Sequence, residues 1–273
     1  MNSIADVSER SIADLISLRG RTAVVTGAAQ GLGKGIARRL AEAGANVLIG
    51  DRNLELAQET AEALSASSSG KIIAQGMDVA DADAIAAACA RAEAELGGVD
   101  IWVNNAGVFP HIPVSQMTQA QWDDVFAVNT RGTFMGARAA IDAMTRGGRQ
   151  GVIVNIASLA GIRGISPGLA AYVSSKHAVV GLTKQLALEC APQGIRVLAV
   201  APSFIVTEGN LALIRQNPQM AELAAEAIPS MMTSKLGRVG VPDDIGRVVL
   251  FCASDMSIFM TGSTLVVDAG ETA

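Results

Sequence analysis

Two regimes of apolar patterning alternate along the chain: short β-rich runs, and longer alanine-rich stretches with helical spacing. The short runs predict strands at 22–26, 46–50, 71–77, 100–104, 151–157, 195–201 and 264–268. The longer stretches predict helices at 33–43, 54–64, 82–95, 119–144, 170–190 and 242–252, the last opening on Pro242, Asp243 and Asp244 as a first turn favours. Strands that are apolar throughout and separated by helices are those of a parallel sheet covered on both faces. The expected fold is therefore α/β: one doubly wound domain over 18–273, with seven parallel strands, preceded by an amphipathic N-terminal extension over 1–17 with Ile4, Val7, Ile12, Leu15 and Ile16.

One stretch breaks the rhythm. Residues 207–235 follow a strand, carry Leu211, Leu213, Ile214, Met220, Leu223, Met231 and Met232, and reach no new strand. Open α/β sheets bind ligands beyond the carboxyl ends of their strands, so an apolar lid over a substrate is expected there.

Composition narrows the function. The net charge is −5 and the basic residues are scattered, which argues against nucleic acid or an anionic membrane surface as partner. No apolar run approaches the roughly 18 residues of a membrane span. The first residues contain Asp6, Glu9 and Asp14, unlike a secretory signal, so a cytoplasmic location is expected. Cys89, Cys190 and Cys252 are widely spaced among apolar neighbours and read as reduced, buried thiols. His111 and His177 lack metal-ligand spacing, and no metal is expected.

The candidate chemistry sits at strand ends. Gly27, Gly31 and Gly33, with Gln30 and Leu32 between them, form a glycine-rich turn between a strand and a helix, where backbone N–H groups can meet a pyrophosphate. Asp51 ends the second strand, where a carboxylate binds a ribose diol and repels a 2′-phosphate; this favours NAD(H) over NADP(H), although Arg52 follows directly. Asp78, Val79, Asn104, Asn105, Ala106 and Gly107 lie at the next strand ends on the same sheet edge, the two asparagines as backbone braces. Tyr172 and Lys176 are one helical turn apart, so the cation is expected to lower the phenol's pKa and make it an acid or base.

These pieces, TGAAQGLG at 26–33, NNAG at 104–107, VNTRG at 128–132, NIAS at 155–158, YVSSK at 172–176 and PSFIVT at 202–207, occur in an order that resembles the short-chain dehydrogenase/reductase family over 18–270. The resemblance implies a Rossmann-type fold and a catalytic tetrad of Asn129, Ser158, Tyr172 and Lys176. It also implies coenzyme contacts from Tyr172 and Lys176 to the nicotinamide ribose and from Pro202, Ile205 and Thr207 to the nicotinamide. Asn129 is expected to steady a water that links Lys176 to solvent. Relatives usually form homotetramers through their long helices, and the same is expected here.

Three departures from the family pattern stand out. The interval from Ser158 to Tyr172 is longer than usual, so the intervening loop should bulge. Ser203 and Ala269 each replace a glycine. The expected substrate is a small hydrophobic secondary alcohol or its ketone, held by Phe109, His111, Leu159 and Phe204, with Ile112, Ile162 and Arg163 nearby. The alternatives are a 3-oxoacyl-[acyl-carrier-protein] reductase, which resembles an NADPH user, and a non-catalytic dinucleotide-binding sensor or scaffold.

Overall fold

The computed structural model describes residues 4–208 and 234–273. Seven strands form one wholly parallel sheet: β1 (Thr22–Thr26), β2 (Asn46–Asp51), β3 (Ile72–Gly76), β4 (Ile101–Asn104), β5 (Val152–Ile156), β6 (Arg196–Pro202) and β7 (Thr264–Val267), in the order β3-β2-β1-β4-β5-β6-β7. The order reverses between β1 and β4, which are paired directly. Their carboxyl ends therefore open the crevice in which such sheets take ligands.

Alternation along each central strand splits the core in two. Val25, Ile49, Val103 and Val154 face one side, where α2 (Gly31–Glu42), α3 (Leu54–Ser65) and α8 (Pro242–Ala253) supply Ile36, Leu40, Leu64, Ile245 and Val249. Val24, Leu48, Trp102 and Ile153 face the other. There they meet α4 (Ala82–Leu96), α6 (Thr133–Arg146) and α7 (Ala170–Cys190) through Ile85, Ala140, Met144 and Leu186. Burial on both faces is why the strands read as continuous apolar runs. All three cysteines are buried and free.

α2 and α8 approach at backbone distance: a Cβ on Gly35 would lie 2.8 Å from Pro242, and one on Gly246 would lie 2.7 Å from the Gly35 carbonyl oxygen. Arg38 and Arg39 close the contact on Asp243, each donating at 2.6 Å, and the pairing with Arg39 holds the Asp243 carboxyl down at about 2. The glycine-rich end of the sheet is thus fixed to its carboxy-terminal part.

Two expectations change. The single helix expected over 119–144 is α5 (Gln119–Phe126), then a π-helical turn over Ala127–Gly132, then α6. The cause is the Asn129 side chain, whose ties to a loop outside the helix hold the wider turn open. The expected lid over 207–235 lies, apart from its ends, outside the described residues. In the extension, α1 (Ile12–Ile16) is capped by Ser11, and Arg10 pairs with Asp255 at 2.7 Å. No helix among the described residues is long and apolar enough to cross a membrane.

Candidate active site

The glycine-rich turn is shaped by contacts that leave no room for a side chain. Gly27 has φ 62°, and a Cβ there would lie 2.8 Å from the Ala106 Cα. A Cβ on Gly33 would collide with the Gly27 carbonyl oxygen and meet the Asn105 amide at 2.6 Å. Asn105 donates from its side chain to the Thr26 and Gly27 carbonyl oxygens at 2.8 and 2.9 Å, while the Thr26 hydroxyl accepts the N–H groups of Asn105 and Ala106. The Thr60 hydroxyl holds the Ala29 carbonyl at 2.7 Å. Asn105 and Ala106 are therefore braces for the phosphate turn. Asn104 braces the layer beneath, accepting from the Trp102 indole and donating to Asn155, as expected for the pair.

From that turn α2 starts with Gln30 as N-cap and no side-chain hydrogen bond from it. Leu32 is packed on the core. Asp51 ends β2 beside the turn: one carboxylate oxygen accepts the Ala29 N–H at 3.1 Å and the other the Asn53 N–H at 3.0 Å. It is not the cap of α3; that role belongs to Asn53, which accepts from Leu56. Arg52 is exposed. The glycine cradle, the N-terminus of α2 and the diol-type acceptor at Asp51 together fit the two phosphates and adenosine ribose of a dinucleotide. Asp78 is exposed and binds the Ala80 N–H, and Val79 is packed against Gly132 of the π turn. β6 ends at Pro202. Beyond it Ile205 bridges to Gly240, and Thr207 is packed on Gly31.

The tetrad is assembled by three elements: the π turn carries Asn129, the end of β5 leads to Ser158, and α7 carries both Tyr172 and Lys176. Ser158 follows β5, and its hydroxyl accepts the Ala160 N–H at 3.1 Å in the cap of a short 3-10 turn, Leu159–Gly161. That turn is the expected bulge. It seats on α7 because Gly161 lacks a side chain; a Cβ would lie 2.7 Å from the Lys176 carbonyl oxygen. Tyr172, in the first turn of α7, has its phenol near enough to Ser158 for that hydroxyl to favour the ionised form. One turn on, Lys176 places its ammonium 5.8 Å from the centre of the Tyr172 ring and donates to the Ile156 carbonyl oxygen at 2.7 Å. The Asn129 oxygen and the Lys176 ammonium converge on Gly107, where a Cβ would lie 3.3 and 3.7 Å from them.

Electrostatics differ from expectation in one respect. Burial pushes the Tyr172 phenol above its ordinary value, and the neighbouring Ser158 hydroxyl only partly offsets this. The same burial, with Lys176 5 % exposed, brings that ammonium down to about 8. A cation over the ring face with its donor directed at Ile156 does not supply the expected lowering.

The Asn129 side chain is held by protein partners. Its oxygen accepts the Val108 N–H and its amide donates to the Val108 carbonyl, both at 2.8 Å, and to the Ser175 hydroxyl at 3.0 Å. Ser175, which the sequence reading missed, passes the tie to the Tyr172 carbonyl at 2.8 Å. Its signal was a serine at a buried helix position three residues after the tyrosine. Asn129 thus positions the Gly107–Val108 loop and the start of α7 together.

Of the pocket residues, Phe109 meets the Tyr172 ring edge-on at 6.0 Å and is 47 % exposed. His111 lies against Gly168, and Ile112 donates to the Gly168 carbonyl, which ties the two loops that flank Tyr172. Leu159 is buried and offers a substrate little surface, whereas Ile162 is half exposed. Phe204 lies between Pro202 and the Ile205 bridge, partly buried. Arg163 pairs with Glu271 of the tail at 2.9 Å. His177 accepts or donates at the Val173 carbonyl within its own helix. Among the described residues no cluster of His, Cys, Asp or Glu could hold a metal.

Known proteins share this arrangement. Residues 27–272 match the family model described as enoyl-(acyl carrier protein) reductase. A 3-oxoacyl-[acyl-carrier-protein] reductase of Thermotoga maritima is 37 % identical over 257 residues, which cover 93 % of this chain and 98 % of the relative. A 3beta-hydroxysteroid dehydrogenase of Eggerthella lenta is 39 % identical over 256 residues, covering 93 % and 95 %. Among solved structures, a short-chain type dehydrogenase/reductase from Mycobacterium marinum superposes with a TM-score of 0.87 at 35 % identity, covering 96 % of this chain and all of that one.

Proposed function

Because the chain belongs to the short-chain dehydrogenase/reductase family and is an oxidoreductase of that kind, we propose that it uses NAD(H) to interconvert a secondary alcohol and its ketone on a 3-oxoacyl thioester. The observation that carries the reaction is the convergence of the Lys176 ammonium and the Tyr172 ring, one turn apart on α7, beside Ser158. Bound nicotinamide dinucleotide supplies the hydride acceptor in oxidation and the donor in reduction.

The chain's own residues handle the proton and the developing charge. In reduction the Tyr172 Oη gives its proton to the substrate oxygen, and in oxidation it takes that proton back. A phenol held protonated by burial is ready as an acid. Ser158 Oγ donates to the same substrate oxygen as negative charge grows there, an oxyanion-hole role. Lys176 would hold the nicotinamide ribose hydroxyls. Asn129 and Ser175 hold these groups in register. Gly27, Gln30, Gly31, Leu32 and Gly33 would receive the pyrophosphate. Asp51, with Asp78, Val79 and Gly107 along the same edge, would receive the adenosine side, and Pro202, Ile205 and Thr207 the nicotinamide.

The relatives named as 3-oxoacyl-[acyl-carrier-protein] reductases support an acyl substrate better than the free apolar alcohol suggested by the pocket residues. Asp51 supports NAD(H) independently of that choice, since a carboxylate repels a 2′-phosphate. A steroid-like alcohol is the second reading, favoured by half-exposed Phe109 and Ile162 and by the hydroxysteroid dehydrogenase relative. Initial rates on a 3-oxoacyl thioester, a 3-hydroxysteroid and small ketones, each with NADH and NADPH, test both points. Turnover confined to the steroid would replace the acyl reading, and a preference for NADPH would remove the coenzyme assignment. Association into a homotetramer is proposed from exposed Phe134, Leu188 and Phe259, and light scattering measures it.

A further inference from the structure

The first N–H of α2, that of Gly31, donates to the carboxylate of Glu208 at 3.1 Å. α2 provides little of its own at that end: Gln30 makes no side-chain cap and the first turn contains no acid. The unsatisfied N–H groups and positive dipole end of the helix are therefore met by an anion carried in from another part of the chain.

That anion is delivered by a built strap. Ile205 bridges to Gly240, Val206 donates to the Gly240 carbonyl at 3.1 Å, and the Thr207 side chain lies 3.4 Å from where a Gly31 Cβ would be. Gly240 leads into α8, whose Asp243 is held by Arg38 and Arg39 of α2. The strap is thus referenced to the same helix whose end it covers. Asp51 takes the neighbouring Ala29 N–H, so two carboxylates already engage the phosphate turn.

We propose that Glu208 is an internal anion that competes with the coenzyme's pyrophosphate for the N-terminus of α2, and so sets coenzyme affinity. The inference rests on the dinucleotide reading above. A carboxylate and a pyrophosphate cannot share the Gly31 N–H, and like charges at one donor set repel, so Glu208 gives way when the phosphates enter. Part of the coenzyme's binding energy is spent on that displacement.

The test is calorimetric titration of the full chain and of Glu208→Gln and Glu208→Ala with three probes: ADP-ribose, NADH and adenosine. Both variants are expected to bind ADP-ribose and NADH at least about 5-fold more tightly than the parent, at the low end of ordinary coupling effects, while adenosine, which lacks phosphate, is unaffected. Unchanged or weaker ADP-ribose binding in both variants overturns the proposal, as does an equal gain for adenosine. Where the parent binds NADH but the variants show no gain, the Glu208 proposal alone falls. Where the parent binds neither ADP-ribose nor NADH, the dinucleotide reading falls and takes the proposal with it.

Discussion

The Lys176 ammonium donates to the carbonyl oxygen of Ile156 at 2.7 Å, at the end of β5 and two residues before Ser158. One hydrogen bond thereby fixes α7 to the strand that delivers the serine, and so sets the distance between Ser158 and Tyr172. The cost is a cation with almost no access to water. Burial is the only cause of its lowered pKa.

That cost has a sign that can be measured. Below about pH 8 Lys176 is protonated in both folded and unfolded chains, and the folded state bears the whole penalty. Between about 8 and the ordinary value of 10.5 the unfolded chain binds the extra proton, so stability rises with pH. The full penalty is about 3 kcal/mol, less about 1 kcal/mol for the bond to Ile156. Lys176→Met is therefore expected to be inactive yet more stable than the parent at pH 7, with the gap closing by pH 10.5. Thermal unfolding at both pH values checks this, and a variant less stable at pH 7 refutes it.

Tyr172→Phe keeps the ring that packs edge-on against Phe109 and removes only the phenol hydroxyl. Loss of general acid–base catalysis is expected to lower kcat by at least about 10²-fold, with little change in melting temperature. Full activity in this variant would remove the tyrosine from the reaction.

Asp51→Ala removes the acceptor at the end of β2 and its bond to the Ala29 N–H. Loss of a charged hydrogen-bond partner is worth about 1.5–3 kcal/mol, so kcat/KM with NADH is expected to fall about 10- to 100-fold. NADPH should be used better than by the parent, since the repulsion is gone. An unchanged ratio of the two coenzymes would show that Asp51 does not discriminate between them.

Ala269 replaces a glycine of the family pattern, and it has φ 51°, the one positive φ among the described non-glycine residues. The left-handed region costs an alanine roughly 1–2 kcal/mol, part of which a glycine loses again through its freer unfolded chain. Ala269→Gly is expected to stabilise the protein by about 0.5–1 kcal/mol in denaturant unfolding. Destabilisation would mean that the alanine methyl makes contacts worth more than the strain.

The sheet was legible because each central strand is apolar on both faces and each begins or ends near a turn residue. The tetrad was legible because its members carry short local signatures. What the sequence did not reveal was set by contacts between distant residues. The π turn at Asn129 depends on Val108, 21 positions away, so helical spacing alone reads 119–144 as one regular helix. The direction of the Tyr172 shift depends on how deeply α7 is covered, which an i, i+4 spacing does not encode. Glu208 offered no signal beyond its place after Thr207, because its partner lies 177 positions earlier.

The π turn also limits how this gene can change length. Deleting any one residue within Ala127–Gly132 would let the segment close into an ordinary helix, an improvement by local criteria alone. The faces presented by the helix after it would be kept, because the wider turn is what takes up the additional residue. Ala137, Ala140 and Met144 would still face the sheet, but Asn129 would release the loop at Val108. Single-residue deletions in this turn should therefore leave the helix packed but cost activity, whereas deletions within α6 should cost folding, which makes this turn a place to read selection in any library of length variants.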